Sequence, residues 1–433
     1  MSTTAIRETP LATELREARE RTDSLFRILT PDAWYERPIG ERHRMIFYLG
    51  HLEAFDWNMV VRRALGRPSF RPEFDRLFEF GIDPAGGDLP ADTPADWPTL
   101  EEVHGYNERV RTEMDATLDD APEQIVRVAI EHRWMHAETL AYLLHNLPYE
   151  RKSPVREGKE GTGYSVPVQR LGSNSISLSP RRSPSLISNS VSPSPFCAIP
   201  AGEATLGQSR EHFGWDNEFE EQRVAVPAFS ISRYKITNGE YLRFVEAGAK
   251  PPFFWLRAND AWFYRGMFEP IALPLDWPVY VTHEEAEAYA QWLGARLPTE
   301  AQFHRAAYGT PDGREDSYPW GEEAPSAEHG NFGFARWDPA PVTAHPAGNS
   351  AWGVSQLVGN GWEWTATQFA PFPGFRTFDF YPRYSAAFFD GDHFVMKGGS
   401  PQTARCLLRR SFRNWFRRRY PYVYGTFRLV SQG

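Results

Sequence analysis

The chain has 433 residues, 41% hydrophobic and 24% charged, enough apolar material for two or three cores and too much for a disordered or fibrous protein. A formal net charge of -9 supplies no overall basic field for phosphates, which argues against nucleic acid or an anionic membrane as the main partner. Two cysteines, Cys197 and Cys406, are too few for a disulfide framework or a thiolate metal cluster; with no export signal at the N-terminus and no apolar run of membrane-spanning length, a soluble, cytoplasmic protein is expected.

Residues 1–150 read as helical. Apolar residues recur three and four apart, and helices are predicted over 12–29, 41–65, 100–118 and 122–147, the count of a four-helix bundle. Residues 151–195 turn to Ser, Pro, Arg and Gly and read as a linker. Residues 196–433 hold short alternating or apolar runs at 224–230, 278–281, 394–397 and 426–430, with one clear helix, 284–293, opened by Thr282 with Glu285 three residues on. The fold class is therefore α+β: a helical bundle followed by an irregular domain of scattered strands and long loops. Aromatic residues reach 15%, including 15 Trp, which points to loop-rich packing or aromatic-lined pockets in that second half.

On the fourth predicted helix the apolar stripe of Ile125, Val128, Ala129, Leu140 and Leu143 also contains His132 and His136. Four residues apart, their imidazoles differ by only about 40° around the helix and can reach one ion. On the second helix His51 shares an inward face with Phe55 and Asn58, so a third imidazole can come from across the bundle. Each histidine taken alone reads as a hydrogen-bonded core residue; the pair together with a third is what suggests a metal. Glu138 sits about 200° around the helix from His136 and should not bind the same ion, so a supporting, capping or solvent role is expected for it. Three neutral nitrogen ligands leave coordination positions open, as a catalytic centre requires, and ligand chemistry alone allows either zinc or iron(II).

The strings LGHLEAFDW around His51 and EHRWMHAETLAYLLHNLP around His132 and His136 resemble the DinB-like bundle of the ergothioneine-type sulfoxide synthases. IPAGEATLG, ISRYKITNGEYLRFV, WPVYVTHEEAEAYAQWLGARLPTEAQFHRAA, GNGWEWT, KGGS and TFRLV resemble the formylglycine-generating-enzyme (sulfatase-modifying-factor, C-type-lectin-like) fold. The resemblance implies iron(II), Fe2+, on His51, His132 and His136. It implies an oxidoreductase that uses O2 to join a thiol sulfur to imidazole C2 of hercynine, giving a sulfoxide in ergothioneine biosynthesis. It also implies Tyr381 and Tyr384 of FYPRYS as tyrosines lining the iron pocket and able to donate protons, and Asn414 and Trp415 of RNW as hercynine-binding residues. Trp362 and Trp364 of GNGWEWT are read as fold-defining core. Copper chemistry of the formylglycine-generating kind is not supported, because Cys406 has no partner cysteine in its region.

The chain also departs from that pattern. Met135 stands where mycobacterial-type members carry a hercynine-binding Gln, the loop 82–90 has no Arg, and Phe416 replaces the Asp after Asn-Trp, all of which weigh against γ-glutamylcysteine as donor. Free cysteine is the expected donor, its carboxylate paired with Arg417, Arg418 or Arg419. A selenoneine synthase, joining hercynine to a selenosugar, is the close alternative. A non-catalytic binding module or an O2-independent zinc enzyme on the bundle are alternatives of another class.

Overall fold

The computed structural model describes residues 9–79, 90–154 and 195–431. The expected 151–195 linker and the 82–90 loop lie almost wholly outside the described residues. The bundle comprises α1 (Pro10–Phe26), α2 (Met45–Asp56), α3 (Pro72–Leu77), α4 (Leu100–Asp115) and α5 (Glu123–Asn146). Local chemistry sets the starts: Thr9 Oγ1 accepts from Ala12 N–H with Pro10 at the first position of α1, and Thr99 and Glu102 form a reciprocal capping box on α4. The predicted second helix is longer than α2 because the chain continues past Asp56 in one wide π-helical stretch, Trp57–Ala64. The small helix α3, absent from the sequence reading, packs under α2: a Cβ on Gly50 would stand 2.5 Å from the Phe78 ring, so only glycine allows this approach.

The second domain contains β1 (Phe196–Ile199), β2 (Gly202–Leu206), β3 (Gln222–Val226), β4 (Phe229–Ser232), α6 (Asn238–Glu246), β5 (Trp255–Ala258), β6 (Ala261–Arg265), β7 (Pro270–Ala272), α7 (His283–Trp292), α8 (Glu300–Tyr308), β8 (Trp362–Gln368), β9 (His393–Lys397), β10 (Asn414–Arg417), β11 (Gly425–Thr426) and β12 (Val430–Ser431). Among the described residues three α-helices occur here rather than the one predicted. Residues 278–281 are extended but join no named strand; Val281 N–H instead donates to Gly425 O at 2.7 Å. The strands form small sheets ordered β1-β4-β12, β2-β3, β5-β6-β7 and β10-β9-β8-β11, and β10 lies at an edge with Trp415 opposite Val395.

Buried ion pairs fix that last sheet. Glu363 on β8 accepts from Lys235 Nζ at 2.5 Å and from Arg428 Nε at 2.9 Å, and Arg413 Nε donates to Glu300 Oε1 at 3.0 Å just before β10. Trp362 and Trp364 are buried, as the fold-defining reading of GNGWEWT expects. One apolar core runs through both domains, from Leu15 in α1 to Leu429. Among the described residues no helix is long and apolar enough to cross a membrane.

Candidate metal centre

His51, His132 and His136 are all buried, and one ligand nitrogen from each lies within 4.8 Å of the others. Their placement follows from regular helices. α5 presents His132 and His136 on successive turns of its inner face, and α2 supplies His51 from across the bundle. His51 Nδ1–H donates to Phe78 O at 2.7 Å, which leaves the lone pair on Nε2, 3.3 Å from His136 Nε2. Two nitrogens at right angles on one ion, each about 2.1 Å from it, stand about 3 Å apart, so this spacing suits shared coordination.

The electrostatics agree with the geometry. Burial is the main cause that pushes the His51 imidazole down to about 4, with His43 and Arg133 adding repulsion. Burial likewise holds His132 and His136 well below the usual range. All three are neutral at physiological pH, the form a metal binds. Nδ1 of His132 and of His136 are buried with no hydrogen-bond partner among the described residues. Phe55 stacks on His132 with centroids 3.4 Å apart, and Phe47 on His51 at 4.9 Å, fixing the ring planes.

Aromatic side chains of the second domain reach two residues beside this cluster, Phe55 and Met135. The Tyr381 ring meets Phe55 at 5.4 Å, and Tyr384 Oη–H points to Met135 Sδ at 3.5 Å, next to His136. Tyr384 is stacked on Trp215 at 4.0 Å and edge-on to Trp415 at 5.3 Å, while Trp415 stacks on Phe369 at 4.2 Å. Burial, with repulsion from Asp216, pushes the Tyr381 phenol up to about 12, and burial with Glu218 raises Tyr384 further, so both keep their protons near neutrality.

Other expected residues are placed differently. Asn414 Oδ1 accepts from the Trp415 backbone N–H at 2.9 Å. Arg417 pairs with Glu41, Arg418 with Glu287 at 3.0 Å and Arg419 with Glu284 at 2.8 Å, so each guanidinium of the run has a carboxylate partner, and those of Arg418 and Arg419 are glutamates of α7. Glu138 stays off the histidine cluster as expected. Its role is to latch the domains: Trp362 Nε1–H, Ser400 Oγ–H and Thr403 Oγ1–H all donate to it, at 2.7, 2.6 and 2.8 Å. This corrects the supporting, capping or solvent role read from its position on the helix wheel. Trp215, Glu131 and Arg409, which hold the aromatic wall, carry no periodic or spacing signal in the sequence.

Comparison with known proteins adds to this geometry. Residues 14–144 match the DinB superfamily and residues 186–432 the sulfatase-modifying factor enzyme 1-like domain. Hercynine oxygenases of Mycolicibacterium smegmatis and Mycolicibacterium thermoresistibile are each 34% identical to the chain over 94% of its length, spanning 95% and 91% of those proteins. The chain belongs to the hercynine oxygenase family. Ergothioneine biosynthesis protein 1 of Neurospora crassa is 27% identical over 93% of the chain and extends further, with 55% of its own length covered. Membership of the hercynine oxygenase family makes the chain an oxidoreductase, and the three-histidine cluster lies where its two matched domains meet.

Proposed function

We propose that the chain is an iron(II)- and O2-dependent enzyme that bonds a chalcogen donor to imidazole C2 of hercynine in ergothioneine-type biosynthesis. For a thiol donor the balance is imidazole C2–H plus RSH plus O2 giving the C2 sulfoxide and one water; the C–H and S–H hydrogens leave in the water, and O2 is reduced by four electrons. The observation that carries this reading is the meeting of three buried, neutral imidazoles with an aromatic wall from the second domain. His51, His132 and His136 are the residues that would hold the iron. Iron(II) supplies O2 activation and an affinity for soft donors when bound there.

The protein's own groups do the rest. Trp415 and Tyr384 offer aromatic faces to the trimethylammonium of hercynine without demanding hydrogen bonds of it. Tyr381 and Tyr384 keep their phenolic protons and can deliver one beside the cluster. Asn414 has to exchange its bond to the Trp415 backbone for one to substrate. The packed aromatic side chains exclude water from the reacting atoms.

The donor is the open choice, and one observation favours the second reading. A cysteine carboxylate has to displace a glutamate from Arg417 or Arg418, whereas a selenosugar carries no carboxylate and needs neither. Selenoneine formation therefore stands beside sulfoxide formation as a reading of the same site. Purified protein loaded with iron(II) and given hercynine, O2 and either cysteine, γ-glutamylcysteine or a selenosugar should convert only one donor, identified by product mass. Joining C2–H to S–H or Se–H releases electrons that O2 has to take up, so consumption of hercynine in the absence of O2 would rule out both readings.

A further inference from the structure

The two imidazoles of α5 and the tyrosines Tyr381 and Tyr384 are 245 to 252 residues apart in sequence, yet one buried network of side chains joins their surroundings. Glu131, the residue before His132, is 5% exposed and accepts Trp215 Nε1–H at 2.7 Å. Arg409 binds the same carboxylate through Nη1 at 2.6 Å and Nη2 at 3.0 Å. Its Nε and Nη2 also reach Glu218 at 2.8 and 2.5 Å. Glu218, fully buried, accepts the Trp215 backbone N–H at 2.8 Å and Ser411 Oγ–H at 2.7 Å. Trp215 is thereby gripped at both its indole and its backbone nitrogen, and its ring is the surface on which Tyr384 lies, 4.0 Å away and 24° from parallel. A second tie fastens the same turn to the tyrosine loop, Ser385 Oγ–H to Asp216 Oδ1 at 2.6 Å.

The only polar contact of the Tyr384 hydroxyl among those described is the weak sulfur acceptor Met135. Nothing at its hydroxyl end fixes the ring strongly. The ring is backed by the Trp215 face, and the orientation of that face is set by Arg409 through Glu131 and Glu218. A guanidinium suits the task because its planar fork holds two carboxylates at once in a fixed geometry, whereas a lysine binds them as a point charge without that orientation.

We propose that Arg409 is a positioning residue for Tyr384, acting through Glu131, Glu218 and Trp215, and that this placement of the phenol limits turnover. The proposal rests on the functional reading above. Its test uses the full-length protein loaded with iron(II), as wild type and as Arg409→Met, Arg409→Lys, Trp215→Phe and Tyr384→Phe variants, with 3-fluorotyrosine placed at position 384 of the first four for 19F NMR.

For Arg409→Met the expected result is a kcat lowered about 10- to 100-fold, the cost of an ångström-scale misplacement, with iron content and KM for both substrates held. Arg409→Lys should recover part of the loss. In the Tyr384→Phe background the Arg409→Met change should have little further effect, whereas a residue that merely stabilises the fold gives the same factor in both backgrounds. The fluorotyrosine resonance should move toward its solvent-exposed position in Arg409→Met. If the two buried glutamates left behind prevent that variant from folding, Trp215→Phe decides, since it keeps a stacked ring and removes only the bond to Glu131; a smaller loss of kcat in the same direction is expected.

Equal effects in both backgrounds, an unmoved resonance, or full turnover by Tyr384→Phe would each overturn the proposal. Failure of the wild type to couple hercynine to any donor overturns the functional reading instead, and the resonance still decides whether Arg409 holds the ring.

Discussion

The imidazoles stand on two regular helices, α2 and α5, while the aromatic residues facing them come from separate turns around Trp215, Phe369 and Tyr381 and from the edge strand β10. On the helical side the backbone itself fixes the geometry, because two residues four apart on a helix share a face whatever surrounds them. On the other side each ring is placed by contacts between distant parts of the chain, such as Trp215 with Glu131 and Trp415 with Phe369. A site built this way keeps its metal geometry constant and can change its substrate wall by a few substitutions.

The sharpest way to break this comparison is to remove one helical ligand. His132→Ala should abolish both iron retention and turnover, measured by metal analysis and product formation, while the helical circular dichroism stays. Activity surviving that change would mean that the cluster is a set of core histidines and that the chemistry lies elsewhere. Next in size is Gly50→Ala. The new methyl meets the Phe78 ring at 2.5 Å, so α3 must shift and the Phe78 carbonyl leaves His51 Nδ1. Loss of such a supporting hydrogen bond lowers metal affinity about 10- to 100-fold. Competition with a chelator reads this directly, and an unchanged affinity would show that the carbonyl does not orient the ring.

The same contrast explains what could be read from the sequence. His132 and His136 stand out because they interrupt an apolar stripe at helical spacing, and His51 because it shares a face with Phe55. The carbonyl of Phe78 was invisible, since it is a backbone group following a six-residue helix with no periodicity of its own. α6 and α8 do not stand out in the sequence although both carry capping boxes, Thr237 with Glu240 and Thr299 with Gln302. At nine residues each, their apolar stripes are too short to stand out from the aromatic-rich runs around them. Glu138 was placed correctly around its helix, but a helix wheel cannot show that Trp362, Ser400 and Thr403 of another domain converge on it. The arginines after Trp415 looked available because their partners, Glu41, Glu284 and Glu287, lie more than 130 residues away.

A smaller effect tests the aromatic side. Trp415→Leu keeps apolar bulk but removes the π face, and a cation–π contact in a sheltered site contributes about 1–2 kcal/mol. KM for hercynine should rise roughly five- to thirty-fold, with KM for the donor and the iron content unchanged. A rise in the donor KM alone would place Trp415 at the other subsite.

The last effect is on stability rather than turnover and concerns Asp216, which ties the Trp215 turn to the tyrosine loop. It is fully buried, its Oδ1 accepts from Ser385, and its Oδ2 has no partner among the described residues. Burial, with repulsion from Glu218, pushes its carboxyl from 3.8 up to about 6, against the pull of Ser385 and the backbone N–H groups of Asn217 and Phe378. The phenols of Tyr381 and Tyr384 face it and stay neutral over this range. Between those two values the folded chain keeps a proton that the unfolded chain has released. The stabilisation is therefore complete below 3.8 and is lost as pH rises through about 6. The full loss is on the order of 2–3 kcal/mol. Asp216→Asn cannot ionise, so its melting temperature relative to wild type should climb by a few degrees across that interval and hold steady above it. A difference between the two proteins that stays constant with pH would show that this carboxyl titrates normally.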